Sequence, residues 1–276
     1  MKRFTTSDGL SLAYDDQGEG VPVLCLPGLT RNMEDFTPLA GNLPRPCRLI
    51  RLDLRGRGAS DHDPDPVANY TVPVESRDVI ELLDHLGLDE VVIVGTSRGG
   101  IIAMVLAAMA KERLAGVLLN DIGPEIDAKG LGNIMTYLGR TPAAKTLDQA
   151  ARGLARFYGP SFAGVDEAAW RVWAARWYEE RPDGLHLRYD PALRDAVEAG
   201  GAAPDLWPFF EALDGVPLAA LRGANSDLLS AETFEKMKGA RPDMIAATVP
   251  GRGHVPFLDE EESLDVFARL LDAVTA

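Results

Sequence analysis

Eight short apolar runs constrain the fold of this chain more than any other feature. Six of them are typical of parallel strands that are buried on both faces of a sheet. These six are Val21–Leu26, Arg48–Leu52, Val91–Val94, Leu114–Leu119, Leu218–Leu221 and Met244–Val249. Helical patterns lie between several of them, and another helical pattern covers residues 257–273. This alternation predicts a three-layer α/β sandwich with a mostly parallel sheet.

The first two apolar runs predict a different kind of pairing. Phe4–Thr6 and Leu10–Tyr14 flank Asp8-Gly9, a dipeptide typical of tight hairpin turns. We therefore expect the sheet to begin with an antiparallel pair of strands.

One long interval interrupts the alternation of strands and helices. Between Gly123 and Val216 no convincing strand is found, and the interval is too long for a simple loop. Its pattern is helical, with interruptions at Gly159-Pro160, Pro182, Pro191 and Pro204. We predict that residues 123–216 form a helical cap, inserted into a core domain made of residues 1–122 and 217–276.

The four tryptophans of the chain all lie inside this interval. Trp170, Trp173 and Trp177 are spaced so that they share one face of a helix. Such a face indicates either packing of the cap onto the core or one wall of a substrate pocket. On the second interpretation, Trp170 and Trp173 are candidate substrate contacts.

Composition and charge exclude several classes of function. The 276 residues are 46% hydrophobic and 25% charged, as in a soluble globular protein, and the net charge of -14 would repel nucleic acids and anionic membranes. The first residues, MKRFTTSDGL, lack the apolar core of a signal peptide, so we expect a cytoplasmic protein. Cys25 and Cys47 form neither a metal-ligand cluster nor a disulfide framework, and we expect free thiols and no metal.

The stretch VVIVGTSRGGIIAM, residues 91–104, is the most informative local motif. Here an apolar strand stops and an apolar helix starts, with a single hydroxyl between glycines. Small residues two positions before and after Ser97 let the strand and the helix approach each other closely, and Gly95 and Gly99 meet that need. The helix N-terminus then directs N–H groups and a positive dipole end towards negative charge that develops at the serine. This pattern predicts a nucleophilic serine.

At this point the sequence resembles the α/β-hydrolase superfamily, and in particular its members with one inserted helical cap. The resemblance covers nearly the whole chain. It depends on five segments in the expected order: CLPGLTRN, LDLRGRGAS, GTSRGG, LRGANSDLL and VPGRGHVPFLDEEES. The likeness implies the α/β-hydrolase fold. The five segments then correspond to the oxyanion loop, the D-x-R-G-x-G-x-S segment after the fourth strand, the nucleophile elbow, the acid turn and the histidine loop. One departure is Pro27-Gly28, where many relatives have His-Gly, so that histidine side chain is absent.

A serine hydroxyl is a weak nucleophile and needs a neighbouring base. His254 is the best candidate, because it lies in a turn-rich loop directly after an apolar strand. The resemblance favours Asp227 as the acid that orients this histidine, in the order Ser, Asp, His. Asp121, at the end of VLLND, is a rival, because a carboxylate that leaves the sixth strand can also face such a histidine.

The resemblance assigns the oxyanion hole to the backbone N–H groups of Leu29 and Arg98. The side chain of Arg98 either pairs with an acidic neighbour or attracts a substrate carboxylate. Arg31 presents the same choice, and we count it among the candidate substrate contacts. Asp53, in LDLRGRGAS, is expected to form a turn at a strand end rather than to act in catalysis.

These residues predict a serine hydrolase that cleaves a small, largely apolar ester, lactone or thioester through an acyl-enzyme, without a cofactor. An alternative is hydrolysis of a carbon–carbon bond in a diketone-like acid from aromatic degradation, with Arg98 or Arg31 holding the carboxylate. From other classes, the same fold serves as a cofactor-free oxygenase or haloperoxidase, or as a ligand-binding protein. A small-molecule substrate is the expected partner, and the oligomeric state is left open.

Overall fold

The computed structural model describes residues 1–201 and 205–276. Eight strands of this part of the chain form one sheet, and they are Lys2–Thr5 (β1), Ser11–Gln17 (β2), Pro22–Leu26 (β3), Arg48–Leu52 (β4), Val91–Thr96 (β5), Leu114–Asn120 (β6), Leu218–Gly223 (β9) and Ile245–Val249 (β10). A separate hairpin consists of Tyr178–Arg181 (β7) and Gly184–Leu187 (β8). All eight strands expected from the apolar runs are present.

The strands of the large sheet lie in the order β1-β2-β4-β3-β5-β6-β9-β10. β2 is antiparallel to both of its neighbours, and every pair from β4 to β10 is parallel. The turn between β1 and β2 contains Gly9 at a φ of 88°, a left-handed conformation that glycine adopts without strain. The structure therefore confirms the mostly parallel sheet and its antiparallel start.

The side chains of β5 alternate between two apolar layers. Val91 and Ile93 face one core, and Val92 and Val94 face the other. A central strand that is buried on both faces needs no polar side, which explains its continuous apolar sequence. Helices cover both faces of the sheet, so the three-layer architecture is confirmed.

Eleven α-helices occur in the described residues: Thr37–Gly41 (α1), Pro66–Asn69 (α2), Val72–Leu86 (α3), Arg98–Met109 (α4), Ala128–Tyr137 (α5), Leu147–Tyr158 (α6), Glu167–Trp177 (α7), Leu193–Gly200 (α8), Trp207–Glu211 (α9), Ala231–Ala240 (α10) and Glu261–Thr275 (α11). Side chains of α3, α4, α9 and α10 pack on one face of the sheet, and those of α1 and α11 pack on the other. None of the helices in residues 1–201 and 205–276 combines the length and the apolar character needed to cross a membrane.

Between β6 and β9 the chain forms α5 to α9 above the sheet, together with the β7–β8 hairpin. The expectation that this interval lacks strands was wrong. The two strands are only four residues each, and β7 is largely exposed and polar, so it shows no apolar alternation. The interruption expected at Pro204 lies outside the described residues, and the division into a cap at 123–216 and a surrounding core domain stays a prediction.

Candidate active site

Ser97 stands alone between the end of β5 and the start of α4. Its backbone has a φ of 50° and a ψ of −113°, a conformation that side-chain-bearing residues rarely adopt. A Cβ at Gly95 would lie 2.6 Å from the backbone nitrogen of Gly100, and one at Gly99 would collide with the carbonyl oxygen of Leu26. The close approach of strand and helix expected from the glycines is therefore present.

His254 joins this serine to a buried carboxylate. Its Nε2 lies 3.1 Å from the Oγ of Ser97, and its Nδ1 lies 2.7 Å from Oδ2 of Asp121. The imidazole is partly exposed, at 16%, whereas the carboxylate is fully buried. Serine, imidazole and carboxylate thus form a continuous hydrogen-bonded chain of the kind that activates a hydroxyl.

Asp121 is held by groups from the neighbouring strand and turn. The backbone N–H of Gly223 donates to its Oδ1 at 2.7 Å, and the hydroxyl of Ser226 donates to its Oδ2 at 2.6 Å. Oδ2 also faces Nδ1 of His254, so this one oxygen contacts both the Ser226 hydroxyl and the imidazole. These contacts leave the carboxylate with a single orientation.

The expectation that Asp227 orients His254 was wrong for this structure. Oδ2 of Asp227 accepts a hydrogen bond from Nδ2 of Asn133, on α5, at 2.6 Å. No hydrogen bond joins Asp227 to His254 in the described residues, although both side chains line the same cavity. Asp121 directly follows β6, whereas Asp227 lies four positions beyond β9, where the turn approaches α5.

Asn120, which sequence reasoning missed, precedes this aspartate and connects three parts of the site. Its Nδ2 donates to the Oγ1 of Thr96 and to the carbonyl oxygen of Pro256, at 3.1 Å in each case. The amide therefore fixes the end of β6 against both the residue before Ser97 and the histidine loop. Only its place beside a strand-end aspartate, in the sequence Asn-Asp, could have indicated this role.

The predicted oxyanion loop, residues 25–32, lies directly against Ser97. A Cβ at Gly28 would lie 3.6 Å from the Cβ of Ser97, so the loop backbone at this residue lies next to the serine. The backbone N–H groups of Leu29 and Arg98 donate to no acceptor within residues 1–201 and 205–276. Both predicted donors are therefore available to a ligand.

A buried ion-pair network connects the two predicted donor residues. Nε of Arg57 donates to the carbonyl oxygen of Leu29 at 2.9 Å, and Nη1 of Arg57 lies 2.7 Å from Oε1 of Glu75. Oε2 of the same glutamate accepts from Nε of Arg98 at 2.7 Å. Burial opposes ionisation of Glu75, but the two guanidinium groups hold its pKa below the ordinary value. Of the two roles predicted for the Arg98 side chain, the structure shows the pairing with an acidic neighbour.

Above Ser97 lies a cavity of about 90 Å³ with walls from the core and from the segment between β6 and β9. The candidate substrate contacts Trp170, Trp173 and Arg31 all line it. The two tryptophans also pack within an aromatic cluster, in which the ring centroids of Trp173 and Phe257 are 4.4 Å apart. The same two side chains therefore pack in the aromatic cluster and form part of the cavity wall.

Arg31 is the cationic side chain of this cavity. Its guanidinium carbon lies 3.4 Å from the centroid of the Trp177 ring, a cation–π contact. The nearest carboxylate belongs to Asp35, whose Oδ2 is 3.9 Å from Nε, so the ion pair is loose. Burial raises the pKa of Asp35 above its ordinary value. A guanidinium held by stacking, with its Nη groups free of hydrogen bonds in the described residues, can bind an anion.

Asp53 has the structural role expected of it. Its carboxylate accepts hydrogen bonds from the backbone N–H groups of Met33, at 2.6 Å, and Ala59, at 2.8 Å. Burial raises the pKa of this group to about 6. The contact with Met33 fixes the chain just after the oxyanion loop.

The two cysteines are buried and free, as expected. Burial raises the pKa of both thiols above the ordinary value, which keeps them protonated and weakly reactive at neutral pH. Within the part of the chain that the structure describes, no three His, Cys, Asp or Glu side chains are grouped as metal ligands.

The sequence profile of the alpha/beta hydrolase family matches residues 23–270. The chain belongs to this family. As a member of it, the protein is a hydrolase, and the resemblance inferred from the five sequence segments is confirmed.

Two characterised relatives and one solved structure are similar over almost the whole of this hydrolase. It is 34% identical to the 3-hydroxybutyrate-oligomer hydrolase of Cupriavidus necator, with 90% of this chain and 88% of the relative covered. It is 26% identical to the 2-(acetamidomethylene)succinate hydrolase of Mesorhizobium japonicum, with 96% and 92% covered. The crystal structure of an alpha/beta hydrolase from Novosphingobium aromaticivorans is 40% identical, with a TM-score of 0.91 and 98% and 97% of the chains covered.

Proposed function

We propose that this α/β hydrolase is a serine hydrolase that cleaves a carboxylic ester through an acyl-enzyme, with Ser97, His254 and Asp121 as its triad. The observation that carries the proposal is the unbroken contact from the Ser97 hydroxyl through the imidazole to the buried carboxylate. A serine in a rare backbone conformation costs free energy, and packing of the core alone would not require one beside an imidazole. A catalytic role accounts for both features.

In the acylation step, Oγ of Ser97 attacks the carbonyl carbon of the ester while Nε2 of His254 takes the hydroxyl proton. A bond forms between Oγ and the carbonyl carbon, and the carbonyl oxygen becomes an oxyanion. When this intermediate collapses, the bond to the alcohol oxygen breaks and the imidazolium returns its proton to that oxygen. Asp121 stabilises the imidazolium and holds the ring in the tautomer that can accept at Nε2.

The oxyanion is stabilised by the backbone N–H groups of Leu29 and Arg98. The network through Arg57 and Glu75 supports this assignment, because it connects the carbonyl of the first residue to the side chain of the second. Donors that are already in position cost little reorganisation when the charge develops. The side chain of Arg98 therefore helps to hold the oxyanion hole in place and does not contact the substrate.

In the second half of the reaction, water attacks the acyl-enzyme with His254 as general base. The carbon–Oγ bond breaks, the acid is released and the serine regains its proton. No cofactor is needed at any step, because water supplies the only additional atoms.

Two observations support an ester substrate with small apolar groups near the serine. The cavity above Ser97 is small, and much of its wall is aromatic. The relative from Cupriavidus necator is named for hydrolysis of 3-hydroxybutyrate oligomers, whose units are joined by esters. Lactones and thioesters undergo the same two steps and remain within the proposal.

The second candidate function is hydrolysis of a carbon–carbon bond in a diketone-like acid. The observation in its favour is Arg31, a guanidinium in the catalytic cavity with no close ion pair, which is suited to a carboxylate. The ester proposal is preferred because the relative that is 34% identical over 90% of this chain is named for hydrolysis of an oligomer whose units are joined by esters.

The experiment that tests the proposal is covalent labelling by a fluorophosphonate, combined with a panel of p-nitrophenyl esters, lactones and diketo acids. Ser97→Ala should abolish labelling and lower kcat by about 10⁶-fold on any ester that the wild type cleaves. Circular dichroism controls for folding. A folded variant that keeps more than about a tenth of the wild-type rate would exclude the covalent mechanism. Cleavage of diketo acids without cleavage of esters would favour the second candidate, and an unlabelled wild type would favour a binding protein.

A further inference from the structure

A second cavity, of about 320 Å³, adjoins the one above Ser97. We call it the side chamber. The two cavities share part of their walls, and the shared residues are Thr30, Arg31, Tyr137, Phe157, Tyr158 and Trp177. Arg31, stacked on Trp177, therefore lies at the junction of the two spaces.

The charge of the side chamber is unusual for this protein. The chain has a net charge of -14, with 42 acidic and 28 basic residues. The lining of the side chamber nevertheless contains two arginines, Arg31 and Arg140, and no aspartate or glutamate. The cavity above Ser97 differs, because Asp35 and Asp227 both contribute to its wall. Two guanidinium groups in a lining without acidic side chains favour the binding of an anion there.

Neither arginine is neutralised by a close carboxylate in residues 1–201 and 205–276. The nearest partner of Arg31 is the loose one at 3.9 Å, and Arg140 forms no ion pair. Other arginines of the chain, such as Arg57 and Arg98, are paired at 2.7 Å. Guanidinium groups without carboxylate partners can bind an incoming carboxylate through parallel N–H donors.

Arg31 lies close to Ser97 in the fold. A Cβ at Gly28 would lie 3.4 Å from Cγ of Arg31 and 3.6 Å from Cβ of Ser97. The two side chains thus flank the same glycine of the oxyanion loop. Because both side chains also line the cavity above Ser97, one substrate can contact both of them.

We propose that the side chamber binds the far end of the substrate, and that this end bears a free carboxylate. The inference rests on the proposed ester hydrolysis and narrows its substrate class to esters with a short flexible chain that ends in a carboxylate. Arg31 holds the carboxylate of a short chain at the junction, and Arg140 holds that of a longer chain at the outer rim. Hydroxy-acid oligoesters and half-esters of dicarboxylic acids both have this chemistry.

Two matched pairs of substrates test the proposal. The first pair is the mono-p-nitrophenyl ester of suberic acid and its methyl-capped neutral analogue, in which the acyl part carries the carboxylate. The second pair is the linear dimer of 3-hydroxybutyrate and its methyl ester, in which the alcohol part carries it. For at least one pair, the wild type should prefer the charged member by about tenfold or more in kcat/KM at low ionic strength. The pair that shows the preference also identifies which source of carboxylate the enzyme accepts.

Variants of three arginines locate the preference. Arg31→Gln should lower the charged-to-neutral ratio of kcat/KM by about tenfold or more, since charge-assisted hydrogen bonds in a partly buried site are strong. Arg140→Gln should lower it by about threefold, because the residue is exposed. Arg156→Gln is the matched control: this exposed arginine on α6 lines neither cavity, so the ratio should not change. Arg31→Lys should retain more of the preference than Arg31→Gln, which separates charge from loss of packing on Trp177.

The outcomes distinguish this inference from the proposed function. Hydrolysis of neutral esters with no preference for either charged substrate would overturn the side chamber as a carboxylate site and leave the serine mechanism standing. A preference that survives both Arg31→Gln and Arg140→Gln would also overturn it. Failure to hydrolyse any ester, charged or neutral, would instead contradict the proposed function on which the inference rests.

Discussion

Two turns at the same edge of the sheet, after the neighbouring strands β6 and β9, each carry an aspartate with a different environment. Asp121 is fully buried and accepts from a backbone amide, a serine hydroxyl and the histidine. Asp227 is half-buried and accepts from Asn133 of α5. The first turn thus points into the core site, and the second points to the helical segment above it.

The difference teaches that position in a motif does not decide which carboxylate serves a histidine. A catalytic acid has to be desolvated and held in one orientation, and each requirement depends on neighbours from other strands. Asp121 meets both requirements because Gly223 and Ser226, at the end of β9 and in the turn after it, donate to it. In the proposed triad, the turn after β9 therefore holds the acid in place but does not contain it.

Among the substitutions that test the comparison of the two turns, the largest effect is expected for Asp121→Asn. An amide at this position cannot stabilise an imidazolium and favours the wrong tautomer of His254, so kcat should fall by about 10⁴-fold. The measurement is kcat on the best ester of the panel, with circular dichroism as the control for folding.

The double variant Asp121→Asn/Asp227→Asn sharpens the same comparison. If the second aspartate takes no part in orienting the histidine, the double variant should be no slower than Asp121→Asn within about threefold. A much smaller loss in the single variant, followed by a large further loss in the double variant, would mean that Asp227 can replace Asp121.

A large part of the fold and the centre of the site could be predicted from the sequence, for local reasons. The strands are visible as short apolar runs because most of them are buried on both faces. Ser97 is recognisable because the requirement for glycine at 95 and 99 is a backbone constraint within five residues. His254 lies in the loop directly after β10, so its place at the edge of the sheet follows from chain order.

The parts that could not be predicted depend on contacts between distant residues. The choice between Asp121 and Asp227 is made by hydrogen bonds that span more than a hundred positions. The Glu75 network and the side chamber likewise join segments that the sequence does not connect. The β7–β8 hairpin was missed for a different reason: β7 is largely exposed and polar, so it carries little periodic signal before the turn at Pro182-Asp183.

A moderate effect is expected for Ser226→Ala, which removes one donor from Asp121 and leaves the carboxylate itself unchanged. Loss of the 2.6 Å hydrogen bond gives the carboxylate more freedom, so kcat should fall by about tenfold with KM nearly unchanged. The same hydroxyl also accepts from the backbone N–H groups of Leu228 and Leu229, so thermal unfolding is measured in parallel. Ser226→Thr keeps the hydroxyl and should restore most of kcat, whereas a purely structural role would leave kcat intact in both variants.

The smallest effect is expected for Asp227→Asn, the substitution at the carboxylate that the sequence motif favoured. An asparagine can still accept the hydrogen bond from Asn133, because it keeps one carbonyl oxygen on the side chain. The change therefore removes a negative charge from the cavity wall without leaving a buried donor unpaired, and kcat on a neutral ester should change by less than about threefold. Stopped-flow or steady-state kinetics on purified, folded protein measure kcat, with Asp121→Asn as the matched comparison. If Asp227→Asn were folded and slowed by a factor approaching 10⁴ while Asp121→Asn stayed active, the roles of the two turns would be reversed. The hydrogen bond between Asp121 and His254 would then be a feature of the resting enzyme and not of the reaction.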